Sequence, residues 1–139
     1  MSRLVSLHDA LPEVAADFAA ALPGEAEPRL AILDGVPDAS VSEQVPNAAE
    51  WMDPANDEQV LLLVGGVVTS LTARWSDRDE LAVECASALQ TVVMDEGSAP
   101  WPVLPDGGGI AEPGLRDGRP QWLAAGRTVP LGNLTAALR

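Results

Sequence analysis

The longest apolar run of this 139-residue chain, Val60 to Val68, is interrupted by the pair Gly65-Gly66. Glycine adopts the positive φ angles that a tight primed turn requires, so the pair is typical of a two-residue hairpin loop. After the turn, apolar and polar side chains alternate up to Arg74, which is the period of a half-buried strand. The pattern predicts a β-hairpin with strands near 60–64 and 67–74, and one long bent strand is the alternative.

The N-terminal segment has the spacing of one amphipathic helix. Apolar side chains recur three or four residues apart from Leu7 to Leu22, and the opposite face carries Glu13 and Asp17. Ser6 and Asp9 resemble a capping box, and Pro12 falls near the first turn, where proline is tolerated. We therefore predict a single helix over about 7–22, ended by Pro23-Gly24.

A second amphipathic segment follows the hairpin and predicts the longest helix, over about 77–96. Ser76 and Asp79 again resemble a capping box, and the first-turn acids suit the positive end of the helix dipole. Asp95 and Glu96 lie at the other end, where the dipole disfavours negative charge. This conflict indicates either an exposed helix end or a role for the pair.

The remaining segments complete an α+β fold. Residues 29–34 predict a further strand, and 36–57 predict a long irregular connection with a short helix near 42–51 as an option. After Ala99, repeated Pro and Gly turn signals predict a loop-rich tail in which 119–124 pairs with 128–131. A helical turn near 133–139 is a further option.

We expect one domain over 1–139. Its body (1–98) would hold the N-terminal helix, a small mainly antiparallel sheet and the long helix packed across that sheet. Its tail (99–139) would form a β-hairpin that covers the sheet edge or the long helix. The predicted core residues are Leu11, Val14, Phe18, Leu30, Ile32, Leu61, Leu63, Leu71, Leu81, Cys85, Leu89 and Val92.

The charge of the chain constrains its partners. There are 21 acidic residues against 8 arginines and no lysine, so the formal net charge is -13. Such a surface disfavours direct contact with a nucleic-acid backbone or an anionic membrane and favours a basic protein. Solubility alone is the alternative explanation. The single cysteine, the polar start of the chain and the shortness of its apolar runs lead us to expect a cytoplasmic protein.

Side chains that commonly carry catalysis are scarce. The chain has one histidine, one cysteine and no tyrosine or lysine, which removes most nucleophiles, neutral-pH bases and transition-metal ligands. His8 has only its neighbour Asp9 beside it, and adjacent helical residues do not face each other. Cys85 falls on the inward stripe of the second helix. We predict no catalytic residue, no cofactor and no metal site.

Carboxylates offer the one alternative chemistry. The group Asp77, Asp79 and Glu80 lies at a predicted helix start, and oxygen ligands suit Mg²⁺ or Ca²⁺. A small carboxylate-dependent or divalent-metal-dependent enzyme with His8 as a base is therefore the alternative function. No acidic group has the spacing of a calcium-binding loop, and helix capping explains these acids more simply.

Tryptophan supplies four of the five aromatic side chains. Tryptophan is enriched at binding hot spots, and anchoring of irregular segments to the core is the alternative role. The candidate partner-binding residues are Trp51, Trp101 and Trp122 together with the nearby acids Asp53, Asp57 and Glu58.

The segments 89–96, Pro100-Trp101-Pro102, Trp122 and 129–134 together resemble the C-terminal half of small uncharacterised proteins of actinobacterial type. In that group a Cys-Pro-x-His knuckle and a Trp-x-Cys-Pro knuckle imply a zinc-ribbon-like hairpin. Here Val103-Leu104-Pro105 and Leu123-Ala124 stand at those places and offer no zinc ligand. The resemblance thus implies a hairpin scaffold after the long helix, without zinc.

These patterns favour a non-enzymatic interaction module, such as an adaptor, an immunity-type protein or an inhibitor. Its acidic surface would meet a basic partner protein, with self-association as a second kind of contact.

Overall fold

The computed structural model describes residues 3–22, 27–33, 45, 59–65, 67–97, 99–105 and 109–138. Four strands form one antiparallel sheet in the order β1-β2-β3-β4, and these are β1 (Arg3–Ser6), β2 (Arg29–Leu33), β3 (Gln59–Val64) and β4 (Val67–Leu71). The sheet packs with helices, so the α+β class is confirmed. The predicted connection 36–57 lies outside the described residues, apart from Val45.

The central hairpin forms as predicted. Val64 pairs with Val67 across the turn, and Gly65 has the positive φ of 54° that the turn needs. The alternative of one long bent strand is therefore wrong. β4 ends at Leu71 instead of Arg74, because the backbone N–H groups of Thr72 and Ala73 donate to the carboxylate of Glu84.

The two central strands of this sheet, β2 and β3, are buried on both faces. Leu30, Leu62 and Leu71 belong to the main core beneath the helices, whereas Leu61 and Leu63 pack on the opposite face in a smaller cluster around Val45. Every residue of β3 is buried, which accounts for its unbroken apolar run. Leu61 and Leu63 are thus core residues, as predicted, but of a second core.

The N-terminal segment differs from the single helix predicted over 7–22. It begins with β1 and continues as α1 (Leu7–Ala10) and α2 (Pro12–Phe18). Leu11 separates the two helices with φ -137° and ψ 74°, because a residue that precedes proline is pushed out of the helical region. Ser6 does cap α1, since its hydroxyl accepts the Asp9 N–H at 3.2 Å.

The long helix α3 (Arg78–Gly97) lies within one residue of its prediction. Asp77 caps its first turn by accepting the Glu80 N–H at 3.3 Å. Leu81, Cys85 and Leu89 point into the core, while Val92 is only partly buried against it. Every other residue of the predicted core is buried.

The C-terminal part forms more sheet than expected. Strands β5 (Val103–Leu104) and β6 (Gly109–Ile110) pair, and β7 (Glu112–Arg116), β8 (Arg119–Ala124) and β9 (Arg127–Pro130) form a three-stranded antiparallel sheet before α4 (Leu134–Ala137). The predicted hairpin is β8–β9. Pro113-Gly114 is one of the Pro and Gly turn signals that follow Ala99, but it lies in the edge strand β7, where proline is tolerated. β7 and β8 pack on α3.

Candidate functional site

Three aromatic side chains meet where the C-terminal sheet joins the core. Phe18 of α2 lies 5.0 Å from Trp101 and 5.8 Å from Trp122 between ring centroids, and the two indoles are 5.9 Å apart in a T-shaped arrangement. These distances and tilts are favourable for aromatic pairs. Trp122 is fully buried and Trp101 is partly buried, so the cluster anchors the tail to α2.

Asp17 fixes the same junction with hydrogen bonds. Its Oδ2 accepts the Trp122 Nε1–H at 2.9 Å and the Gly132 N–H at 2.7 Å, and its Oδ1 accepts the Leu134 N–H at 3.0 Å. The side chain is 4% exposed, in contrast to its predicted place on the solvent face of the helix. A buried carboxylate needs such donors, and here they include the first N–H of α4.

The predicted partner-binding residues therefore differ in how accessible they are to a partner. Trp122 offers no surface to a partner because its ring is in the core and its N–H is bound to Asp17. Trp101 retains partial exposure within the anchoring cluster. The other four, Trp51, Asp53, Asp57 and Glu58, lie outside the described residues. The burial of Asp17 had no local signal, since its partners are more than 100 residues away in sequence.

Cys85 is buried beneath the sheet, as predicted. Desolvation, with a smaller effect from the charge of Glu84, raises the pKa of its thiol to about 12. The thiolate is the reactive form of cysteine, so this group is inert at neutral pH. Glu84 itself is engaged with Thr72, whose N–H lies 3.0 Å and whose hydroxyl lies 2.6 Å from Oε1.

His8 is a surface residue. Its side chain is 83% exposed, and its Nδ1 lies 3.8 Å from a carboxylate oxygen of the equally exposed Asp9. Both side chains of this pair are therefore largely in contact with solvent.

The acids at the start of α3 form a local cluster. A hydrogen bond that the protonated carboxyl of Glu80 donates to Asp77, together with the negative charge of Asp77, raises the pKa of Glu80. Across the described ranges, no three His, Cys, Asp or Glu side chains are placed to hold a metal ion.

A concave surface lies between β4 and the C-terminal half of α3. This groove has a volume of about 430 Å³ and is lined by Val67 and Thr69 of β4 and by Ala88, Thr91 and Val92 of α3. Val67 is 60% exposed. In the part of the chain that the structure describes, β4 pairs with β3 alone, so its outer edge is unpaired beside the groove.

Two carboxylates complete the groove. Asp95 and Glu96 line its end, and the last turn of α3 carries no basic residue. The partial negative charge of the helix C-terminus adds to theirs. We call the β4 edge, the groove and these two acids together the β4–α3 surface. The dipole conflict seen in the sequence was its one local signal.

No protein-family model, no curated protein and no solved structure matches this chain. Among the helices of the described residues, none is long and apolar enough to cross a membrane.

Proposed function

We propose that this chain is a cytoplasmic, non-enzymatic interaction module, such as an adaptor, an immunity-type protein or an inhibitor, that presents its acidic surface to a basic partner protein. The observation that carries the proposal is the charge. The chain has 21 acidic residues and only 8 arginines, so its net charge is -13. A field of one sign attracts an oppositely charged protein over long range and speeds its association.

The roles of individual polar side chains support the proposal. The thiol of Cys85 is buried, and the carboxylates of Asp17 and Glu84 accept structural hydrogen bonds. Gln90 is likewise committed, because its Nε2 donates to the carbonyls of Trp101 at 3.0 Å and Ala111 at 2.7 Å. These groups stabilise the fold, while exposed acids remain for contacts outside it.

Arginine is also used internally. Arg78 donates from a guanidinium nitrogen to the Ala10 carbonyl at 2.6 Å and stacks 4.1 Å from the Trp75 ring centroid. The hydrogen-bonding capacity of this arginine is therefore used in part within the chain.

The test is capture of the partner at two ionic strengths. Tagged protein would be incubated with lysate of its source organism in about 50 mM and about 500 mM NaCl, since exposed charges more than a Debye length apart are screened at the higher salt. Mass spectrometry of the eluates should identify a basic protein retained only at low salt. The purified pair should then bind at least tenfold more weakly at the higher salt. An affinity that does not change with ionic strength would contradict the proposal.

Two further results would also contradict it. The first is a rise in Tm with Mg²⁺, Mn²⁺ or Ca²⁺ that disappears in the triple variant Asp77→Ala, Asp79→Ala, Glu80→Ala, which would favour the carboxylate-dependent enzyme. The second is a discrete homo-oligomer by size-exclusion chromatography with light scattering and no captured partner, which would favour self-association.

A further inference from the structure

We infer that the β4–α3 surface binds an extended, basic segment of the partner protein, which adds as a fifth strand to the edge of β4 that pairs with no other strand in the described part of the chain. This inference rests on the proposed function and assigns its binding surface. In the bound segment of the partner, aliphatic side chains would alternate with Lys or Arg side chains.

The edge of β4 supplies the backbone contacts. Among the described residues β4 has a strand neighbour only on its β3 side. A free strand edge presents a row of N–H and C=O groups, and many recognition domains bind an extended peptide at such an edge.

The groove supplies side-chain specificity. Val67 and Thr69 share the helix-facing side of β4 with the buried Leu71, because alternate residues of a strand point to the same face. A strand beside β4 would point every second side chain toward Ala88, Thr91 and Val92 of α3. The volume of about 430 Å³ is in the range of pockets that hold apolar ligand groups.

Charge selects the occupant. Asp95 and Glu96 lie at the C-terminal end of α3, where an incoming Lys or Arg would be attracted by both carboxylates and by the helix dipole. A second copy of this chain would instead bring its own acids and its net charge of -13. The surface therefore fits a basic strand and repels a copy of itself.

The inference can be tested by NMR with a peptide probe. ¹⁵N-labelled protein would be titrated in about 20 mM NaCl, where the Debye length is long, with acetyl-(Lys-Val)₃-Lys-amide. We expect amide shifts in β4 from Val67 to Ser70 and in α3 near Thr91 and Asp95. A peptide with glutamate for lysine, and one N-methylated at every valine and lysine so that neither of its strand edges can pair, should each bind at least tenfold more weakly.

Two sets of variants separate the groove from general electrostatics. Thr91→Arg fills the groove with a bulky cation and should reduce affinity at least tenfold, whereas Ala136→Arg makes the same charge change on exposed α4 and should reduce it less than twofold. Asp95→Asn with Glu96→Gln should weaken binding more than Glu27→Gln with Glu112→Gln, a control pair of exposed acids outside the groove. The ¹⁵N spectra of the free variants report whether each is folded.

Several results of these titrations would overturn the inference. Shifts confined to residues outside the β4–α3 surface, or equal losses in groove and control variants, would place the basic segment elsewhere and leave the proposed function standing. Tight binding of the N-methylated peptide would exclude strand addition. Concentration-dependent shifts of β4 without peptide would make a second copy the occupant. An absence of peptide binding overturns this inference, and the proposed function fails as well only if no salt-sensitive partner is captured.

Discussion

The carboxylate of Asp17 joins distant parts of the chain at a single point. It accepts hydrogen bonds from the Trp122 indole and from the backbone N–H groups of Gly132 and Leu134. The side chain is short and its helix is only seven residues long, so α2 is held in place largely by what it contacts. Loss of this one acceptor would affect the aromatic cluster and the start of α4 together.

Asp17→Asn is expected to destabilise the protein by about 2–4 kcal/mol, because the new amide turns a donor toward a buried N–H that loses its acceptor. Urea unfolding followed by tryptophan fluorescence would measure the change. Asp9→Asn is the matched control, since it removes the same charge from a side chain that is 81% exposed. Equal effects of the two substitutions would mean that charge, and not the hydrogen bonds of Asp17, sets the stability.

Cys85 should make the free energy of unfolding depend on pH in the alkaline range. Its thiol in the unfolded chain loses a proton near pH 9, whereas burial holds the folded pKa at about 12. Between these values the unfolded state binds fewer protons, so the free energy of unfolding must fall as pH rises. The chain has no lysine or tyrosine to titrate in the same window, and arginine stays protonated there.

We therefore expect the free energy of unfolding to be insensitive to this thiol below about pH 9 and to fall by about 1.4 kcal/mol per pH unit above it. Urea titrations at about pH 8, 9, 10 and 11 would measure the slope. Cys85→Ala should be less stable at neutral pH because of its cavity, but its stability should not decline over the alkaline range. A parallel decline in the variant would rule out the thiol as the cause.

Helices and strands could be predicted where the signals for them lie within one stretch of chain. The β3–β4 hairpin follows from its glycine turn, and α3 follows from its cap and its apolar stripe, so both were predicted within a few residues. Pro12 was expected to be tolerated in the first turn of a single helix. Instead it restricts Leu11 and so divides the periodic segment into two helices. The strand β7 depends on pairing with β8, which overrides its Pro-Gly turn signal.

The site was less predictable than the fold because its members are brought together by packing. The long-range contacts of Asp17 and Trp122 and the groove between β4 and α3 have no sequence pattern of their own. The sequence did single out Trp101 and Trp122, with anchoring to the core as their alternative role, and the acids at the end of α3, which oppose the helix dipole.

That opposition gives a prediction for α3 as an element. Glu96→Lys places a cation in the last turn and should stabilise the helix by about 0.3–1 kcal/mol, since favourable charges at a helix terminus contribute amounts of this size. Thermal unfolding by circular dichroism would measure it. Glu112→Lys makes the same change of charge on exposed β7 and should raise Tm less. Equal increases would assign the gain to reduced net charge. If Glu96 serves a basic partner, the stabilised variant should also bind that partner more weakly.

At the scale of the whole molecule, one continuous cluster of buried side chains extends from α1 through α3 to Trp122 and α4. The whole sequence carries 21 acidic residues and 8 arginines. Burial of apolar surface stabilises the folded state, while the mutual repulsion of unbalanced carboxylates opposes compaction. The acidic surface therefore has a cost in stability that a basic partner would relieve.

Salt should consequently have opposite effects on folding and on binding. Raising NaCl from about 20 to about 200 mM shortens the Debye length from roughly 20 Å to roughly 7 Å, which screens repulsion among exposed acids. We expect Tm to rise by a few degrees, measured by differential scanning calorimetry, while affinity for a basic partner falls. The double variant Glu27→Gln, Glu112→Gln carries two fewer negative charges and should show a smaller rise. A Tm that falls or stays constant with salt would mean that the acids are not in net repulsion, and the surface would then have no electrostatic reason to prefer a basic protein.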